Sequence, residues 1–472
     1  MLLATIRTSV GFWDIGDLQT VAGVAGIPYP TGFPGYSIIA WLWAHAIPIG
    51  SVAARVNALS AVSVACASAV VAAVALLLDV TPAIAAIGGW SFAFAHTIWV
   101  RGTYADVHPL GFAVAFAAVA LALRWTMRDE PRTLVAAIVL AAAAIAIDNT
   151  TVLILAGGVI VTFGRAWPLA LIARAVAIGV VIVVAAYAYL PLRSAYVTSH
   201  RLDPTLALGI QPGRPFWDDH HPSTPEGFRS LVAGSEWVPG ATIVRILTPA
   251  SIGATIGRIG TVYRNDEATI LPLLALAGIA LVVARRPFAG IGLVASAVVP
   301  AIFGATYQAE ADPGRYVFAL YAVTSVGAAI ALDRARRRRG ARSRGAMLAI
   351  ACGLSIPLFA YDAARANDIV ADRGNTDAAA LGDRVADATR DGAVVVAPWN
   401  WATPLAYRAY VDRAMGTRVV VCGMPLDYLD EYARWAREHE LTIVWDGPPS
   451  VPGFDARALT DGTPQVYELT PR

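Results

Sequence analysis

The chain has 472 residues, of which 57% are hydrophobic and 15% charged, and its formal net charge is +2. Soluble proteins carry roughly 25% charged residues, so this composition excludes a string of water-soluble domains and a disordered chain. The nearly balanced charge gives no sign of a nucleic-acid-binding surface. Two of the three cysteines lie in apolar runs, so no disulfide framework is indicated. The sequence therefore predicts an integral membrane protein.

The first ten residues are apolar apart from Arg7, but ten residues cannot cross a bilayer. We interpret them as the remnant of a first helix and treat residues 1–50 as that remnant followed by a first outer loop. A short apolar segment at residues 36–47 is expected to lie along the membrane interface rather than to cross it.

Ten apolar runs predict a transmembrane bundle over residues 51–361. The predicted spans are residues 51–78, 82–100, 108–127, 132–147, 150–164, 168–190, 268–284, 287–304, 316–332 and 346–361. Arginines flank alternate connections and are densest between Arg334 and Arg344. Because short arginine-rich loops stay in the cytoplasm, the other face is predicted to be extracytoplasmic. The fold class is therefore mainly α, a polytopic bundle that we expect to reside in a bacterial inner membrane.

Two regions are predicted to lie on the extracytoplasmic face. In the long outer loop 191–267, Ser223 followed by Glu226 has the spacing of a capping box and predicts a short helix. Residues 362–472 alternate apolar strands with amphipathic helices, which predicts a small α/β domain with a parallel sheet. No glycine-rich phosphate loop follows these strands, so nucleotide binding is not indicated.

An acid pair near the start of the chain is the first candidate for chemistry. Asp14 and Asp17 share one face if they lie on a helical turn, and Phe12 and Trp13 flank them. Two carboxylates beside apolar groups differ in pKa, so one of them would serve as a general base. The ordinary alternative is a solvated loop, which residue types alone favour because Asp-x-x-Asp is common.

Other ionisable residues fall at the outer ends of the predicted spans. The candidates for substrate binding are Arg101, Asp106, His108 and Arg315, and the polar residues near them are Asp148, Glu310 and Asp312. Such groups pair or line a cavity at membrane depth, and arginine suits an anionic leaving group such as phosphate. The run from Asp218 to His221 has no second ligand group at a known zinc spacing, which favours a solvated loop over a metal site.

The order of these motifs resembles bacterial members of the domain-of-unknown-function 2723 family, which are similar to protein O-mannosyltransferases and are grouped with the GT-C glycosyltransferases. The most specific pieces are Asp14-Ile-Gly-Asp17 and Gly26-Ile-Pro-Tyr-Pro-Thr-Gly-Phe-Pro-Gly-Tyr36. Weaker pieces follow in order, among them Tyr104-Ala-Asp106, Tyr189-Leu-Pro-Leu-Arg193 and Asp312-Pro-Gly-Arg-Tyr316.

The resemblance implies a GT-C-like bundle with its active site on the non-cytoplasmic face. It also implies a polyprenyl-phosphate sugar donor, with Asp14 and Asp17 as candidate catalytic acids, Asp106 as a second-loop acid and Arg315 as a phosphate contact. Inverting transfer to a hydroxyl of a protein or glycan acceptor is the implied reaction, with mannose as one candidate sugar. No cofactor is specified, and assistance by a divalent cation stays open.

Two other classes of function stay open at this point. A transporter or a flippase for lipid-linked sugars predicts internal repeats and broken helices at the membrane midplane. A non-catalytic membrane scaffold predicts that the soluble tail binds a partner.

Overall fold

The structure is a computed structural model that describes residues 2–234, 270–306, 313–337 and 366–472 together with a few residues between 253 and 261. Within these residues, five helices are long and apolar enough to cross a membrane. They are Val52–Leu77, His108–Arg128, Leu169–Ser199, Pro287–Gly304 and Phe318–Arg337. Shorter apolar helices pack beside them: Pro82–Phe94, Pro131–Ile147, Asn149–Thr162 and Leu271–Arg285. The predicted polytopic helical bundle is confirmed.

The helices are named in chain order from here on. They are α1 Asp14–Val24, α2 Pro34–Ala46, α3 Val52–Leu77, α4 Pro82–Phe94, α5 His96–Arg101, α6 His108–Arg128, α7 Pro131–Ile147, α8 Val152–Thr162, α9 Leu169–Ser199, α10 Pro225–Ala233, α11 Ile270–Arg285, α12 Pro287–Thr306, α13 Phe318–Arg337, α14 Asp377–Ala388, α15 Trp399–Ala406 and α16 Leu429–Glu438. A short 3-10 turn at Leu2–Ala4 precedes α1.

Most predicted spans match a helix, but three boundaries were wrong. The span 316–332 continues to Arg337 as α13. The span 82–100 is divided at Ala95, whose extended ψ separates α4 from α5. The span 168–190 continues to Ser199 as α9, which passes through Pro191. Proline disrupts helices in water, but a transmembrane helix tolerates it because neighbouring groups satisfy the freed carbonyl. The span 346–361 lies outside the described residues.

The arginine-rich connections meet at one end of the bundle. Arg165 pairs with Asp129 at 2.8 Å, and Arg286 lies 3.7 Å from Asp79. The rings of Phe163 and Phe288, 6.3 Å apart, join these two groups of connections. Helix α6 runs from His108 to the arginine end, and its 21 residues correspond to a rise of about 30 Å. The two ends of the bundle are thus one membrane thickness apart.

The loop helix begins one residue later than the sequence predicted. Its N-cap is Thr224, not Ser223, and the Thr224 hydroxyl accepts a hydrogen bond from the Gly227 amide at 3.1 Å. Pro225 then takes the first helical position, where its fixed φ is favourable. The capping residue was wrong for this reason, while the short helix itself is present as α10.

The C-terminal residues form a five-stranded sheet with strand order β2-β1-β3-β5-β4. The strands are β1 Val394–Ala397, β2 Val419–Cys422, β3 Leu441–Trp445, β4 Phe454–Ala458 and β5 Gln465–Pro471. Strand β1 pairs in parallel with β2 and β3, whereas β5 runs antiparallel to β3 and to β4. The predicted α/β domain is confirmed, but its sheet is mixed because an antiparallel hairpin that the sequence analysis missed forms one edge.

Candidate active site

A cavity of about 460 Å³ opens at the end of the bundle opposite the arginine-rich connections. Its volume lies within the range of ligand pockets, roughly 300–1,000 Å³. The walls come from the first 33 residues, the start of α6, Thr150, the loop near 213–220, the end of α10, residues 303 and 315–316, and the C-terminal domain. A second cavity of about 320 Å³ adjoins it and shares Asp14, Tyr29 and Arg315. These two spaces together are called the candidate site.

Asp14 lies at the centre of the candidate site. It is the first residue of α1, where the positive end of the helix dipole favours a carboxylate. Its Oδ2 pairs with Arg315 at 2.8 Å, and its Oδ1 accepts a hydrogen bond from the indole Nε1 of Trp399 at 3.1 Å. The side chain is 23% exposed. Because each carboxylate oxygen has two lone pairs, Asp14 retains acceptor capacity toward the cavity.

Asp17 differs sharply from its neighbour three residues earlier. It is fully buried and lines neither cavity. Its nearest hydrogen-bond donor is the Tyr29 amide at 3.5 Å, which is a weak contact. Burial, reinforced by the nearby Asp219 and Asp14 carboxylates, raises the pKa of Asp17 well above its ordinary value. The two acids therefore differ in position, since Asp14 faces the cavity and Asp17 is buried beneath it.

Arg101, Asp106 and His108 form one connected network beside the second cavity. Arg101 pairs with Asp106 at 2.6 Å in a buried position. The other Asp106 oxygen accepts from the His108 amide at 2.9 Å, and the His108 ring contacts Asp148 at 2.9 Å. Burial opposes the charge on Asp106, but Arg101 and then His108 bring the pKa of Asp106 below its ordinary value. Each of these ionisable groups is thus paired.

The six site residues predicted from the sequence therefore converge on one region. Asp14, His108 and Arg315 line the first cavity, while Arg101 and Asp106 join Asp14 and Arg315 in the second. Asp17 lies beneath them. Two neighbours named with them, Glu310 and Asp312, lie outside the described residues.

Several lining residues were not predicted to belong to the site. Trp399 and Cys422 come from the C-terminal domain, and Arg214 comes from the long loop. Burial and the Asp14 carboxylate raise the pKa of Tyr29 well above its ordinary value, so its hydroxyl is neutral. Tyr29 belongs to the run Gly26–Tyr36, which is rich in proline and glycine. This run is the only sequence signal for any of the four residues Tyr29, Arg214, Trp399 and Cys422.

The run from Asp218 to His221 borders the candidate site, whereas the sequence favoured a solvated loop. Asp219 and His220 line the first cavity, and their side chains pair at 2.7 Å. Asp218 pairs with His221, also at 2.7 Å. Among the residues that the structure describes, no group of three or more potential ligands is placed to hold a metal ion.

Helix α1 is held against the C-terminal domain by a glycine face. Gly16 and Gly23 lie seven residues apart, which places them on the same side of the helix. A Cβ on Gly16 would lie 2.9 Å from the Thr403 hydroxyl, and one on Gly23 would lie 2.6 Å from a methyl of Val411. The close approach brings the start of α1 within reach of Trp399.

Taken together, the helical bundle and the extramembrane domain over its polar cavity define a membrane protein of the GT-C fold. The chain aligns with the crystal structure of ArnT from Cupriavidus metallidurans in the apo state with a TM-score of 0.62 and 13% identity. It aligns with the same protein bound to undecaprenyl phosphate with a TM-score of 0.59 and 12% identity. Both alignments cover 99% of this chain and 95% of the other.

A second comparison concerns sequence rather than fold. Residues 14–170 match the family model described as "Protein O-mannosyl-transferase TMEM260 N-terminal domain". The predicted resemblance to protein O-mannosyltransferase-like GT-C proteins is thereby confirmed. No curated protein sequence matches the chain.

Proposed function

We propose that the chain is an inverting glycosyltransferase that moves a sugar from a polyprenyl-phosphate donor to a hydroxyl acceptor. The family match over residues 14–170 and the GT-C fold support this class of reaction. The observation that carries it is the placement of Asp14, whose carboxylate faces a cavity with Arg315 beside it. A base and a phosphate partner are the two groups that such a transfer needs.

In the proposed reaction, Asp14 removes the proton from the acceptor hydroxyl as the oxygen attacks the anomeric carbon. The new bond joins that carbon to the acceptor oxygen, and the bond to the donor phosphate oxygen breaks. Polyprenyl phosphate leaves as an anion. Arg315 forms charge-assisted hydrogen bonds to it, since guanidinium matches the geometry of phosphate oxygens.

The remaining predicted residues have supporting roles in this proposal. Arg101, Asp106 and His108 form the wall beside the donor phosphate, held in place by their mutual pairs. The polyprenyl chain would lie against the lipid-facing helices. Mannose is the first sugar to test, and the acceptor is a protein or glycan hydroxyl.

The proposed location follows from the two ends of the bundle. Arginine-rich loops face the cytoplasm, so the candidate site and the C-terminal domain are assigned to the extracytoplasmic side of a bacterial inner membrane. Cysteine labelling in intact cells tests this assignment. Labelling of a cysteine placed at the exposed Asp79 connection by an impermeant reagent would overturn it.

The reaction itself is tested with the full chain in lipid nanodiscs. Undecaprenyl-phosphate mannose with a labelled sugar is incubated with the protein and a membrane-protein acceptor extract, in parallel with other sugars on the same lipid. Asp14→Asn is expected to lower transfer by about 10²- to 10⁴-fold, the usual contribution of a general base.

Asp129→Asn is the matched control for this experiment. Asp129 is also an ion-paired aspartate, but it lies at the arginine end of the bundle. Transfer at the wild-type rate is expected for this variant. Equal transfer by Asp14→Asn and wild type would contradict the assignment of the base. Movement of the donor across sealed vesicles without its consumption would instead indicate a flippase.

A further inference from the structure

We propose that Trp399 is a positioning residue that fixes the carboxylate of Asp14 for proton abstraction. The proposal rests on the function proposed above and adds to it a residue from the opposite end of the chain. Trp399 is separated from Asp14 by 385 positions in sequence, yet its indole Nε1 donates to Oδ1 of Asp14 at 3.1 Å. Nothing in the local sequence around either residue indicates this contact.

The indole ring of Trp399 is itself held from two sides. The ring of Phe216 stacks against it with a centroid distance of 6.0 Å and an angle of 13° between the planes. The Tyr29 ring meets it edge-on at 6.1 Å. Aromatic pairs in these arrangements restrict rotation of the rings. The N–H group is therefore a fixed donor, as a group that orients a base must be.

The two contacts of Asp14 have different chemistry. Arg315 is a cation, and donor phosphate would compete with Asp14 for its guanidinium. The indole N–H donates a hydrogen bond but carries no positive charge, so it attracts a phosphate anion less strongly than the guanidinium does. When Arg315 turns toward the phosphate, Trp399 keeps the carboxylate in place. It does so without neutralising the charge that abstracts the proton.

The competing interpretation is that Trp399 is only part of the cavity wall. On that interpretation the shape of the ring is important and its N–H is not. Replacement of Trp399 by 3-benzothienylalanine separates the two, because sulfur replaces the N–H in a ring of nearly the same shape. 5-Fluorotryptophan at the same position retains the N–H and is the conservative control.

The first test measures transfer kinetics with undecaprenyl-phosphate mannose, or with whichever labelled donor the unmodified chain uses. The benzothienyl variant and Trp399→Phe are expected to lose about 10- to 100-fold in kcat, the range for losing a hydrogen bond to a charged group. KM for the donor is expected to stay within about threefold, since Trp399 orients Asp14 rather than binding phosphate. The fluorinated protein is expected to retain wild-type kcat. Unchanged kcat in the benzothienyl variant would overturn the proposal.

The second test does not depend on transfer. The ¹⁹F resonance of 5-fluorotryptophan at position 399 is recorded with Asp14 present and in Asp14→Leu, which has no side-chain acceptor. The matched control is 5-fluorotryptophan at position 401, which lies on the same helix but meets Trp445 at 6.2 Å inside the C-terminal domain. A shift at 399 and none at 401 is expected. Equal shifts at both positions, or a shift at neither, would overturn the contact.

The two tests separate the two proposals. If the unmodified chain transfers no sugar while the resonance at 399 responds to Asp14, the proposed function is wrong and the catalytic role of Trp399 is wrong with it. If transfer is normal and independent of the N–H, the function stands and only the positioning role is wrong.

Discussion

Asp14→Asn is expected to abolish most sugar transfer, whereas Asp17→Asn is expected to retain it. Asp14 is partly exposed to the cavity and ion-paired, whereas Asp17 is fully buried beneath it. Burial raises the pKa of Asp17 well above its ordinary value and so favours its protonated form, which asparagine replaces with a neutral group of the same shape. Asp17→Asn is expected to retain transfer within about threefold, while Asp14→Asn loses about 10²- to 10⁴-fold.

The same exchange predicts a pH-dependent gain in stability. A folded-state pKa above the unfolded value means that ionisation of Asp17 opposes folding. The free energy of unfolding of the wild type then falls as pH rises from the ordinary pKa of 3.8 toward the raised folded value, by about 1.4 kcal/mol for each pH unit in that interval. Asp17→Asn removes this loss.

The assay is thermal unfolding of both proteins in the same detergent between pH 5 and pH 8, followed by transfer measurements at pH 7. The difference in Tm is expected to favour Asp17→Asn and to grow with pH. A large loss of transfer in Asp17→Asn together with near-normal transfer in Asp14→Asn would refute the assignment of Asp14 as the base. A constant Tm difference would refute the buried, raised-pKa description of Asp17.

Three further predictions concern stability. Gly23→Ala is expected to destabilise the chain by about 1–3 kcal/mol through overpacking against Val411, and Gly23→Ala/Val411→Ala is expected to recover part of the loss in thermal unfolding; strictly additive effects would contradict this. Burial raises the pKa of Asp203 to about 6 from 3.8, so its ionisation above pH 6 opposes folding by up to about 3 kcal/mol. Asp203→Asn should therefore raise Tm at pH 7.5, with an advantage that shrinks toward pH 4 and whose persistence at pH 4 would refute the cause. Arg101→Met should cost about 3–5 kcal/mol by leaving Asp106 buried and unpaired, and adding Asp106→Asn should restore part of it in denaturant or thermal unfolding; no recovery would show that packing, not charge, sets the loss.

Much of the bundle followed from the sequence because bilayer thickness and apolar run length are directly related. The predicted span 51–78 differs from α3 by one residue at each end. The arginines that defined one face do meet at one end, as the pairs of Arg165 and Arg286 show. Errors occurred where a proline was interpreted as a boundary, as at Pro191, or where a second candidate cap stood beside the first, as at Thr224.

The candidate site was predictable only in part. Sequence spacing grouped Asp14 with Asp17, but only the fold shows that one faces the cavity and the other is buried. Asp106 and His108 lie at the start of α6, as their position beside a predicted span indicated. Trp399 was not found, since contacts between positions so far apart depend on how the C-terminal domain docks on α1. That docking depends on glycines whose role is visible only when both surfaces are present.

The candidate site joins residues that lie on either side of the described transmembrane helices in sequence. Asp14 leaves the ribosome early, whereas Trp399 and Cys422, which complete the wall of the cavity, follow only after the described transmembrane helices. A nascent chain inserted in the membrane therefore contains Asp14 before its hydrogen-bond donor Trp399 has been made. The cavity wall is therefore completed only when the C-terminal domain folds onto α1, and a chain cut before Trp399 would leave that side of the cavity open.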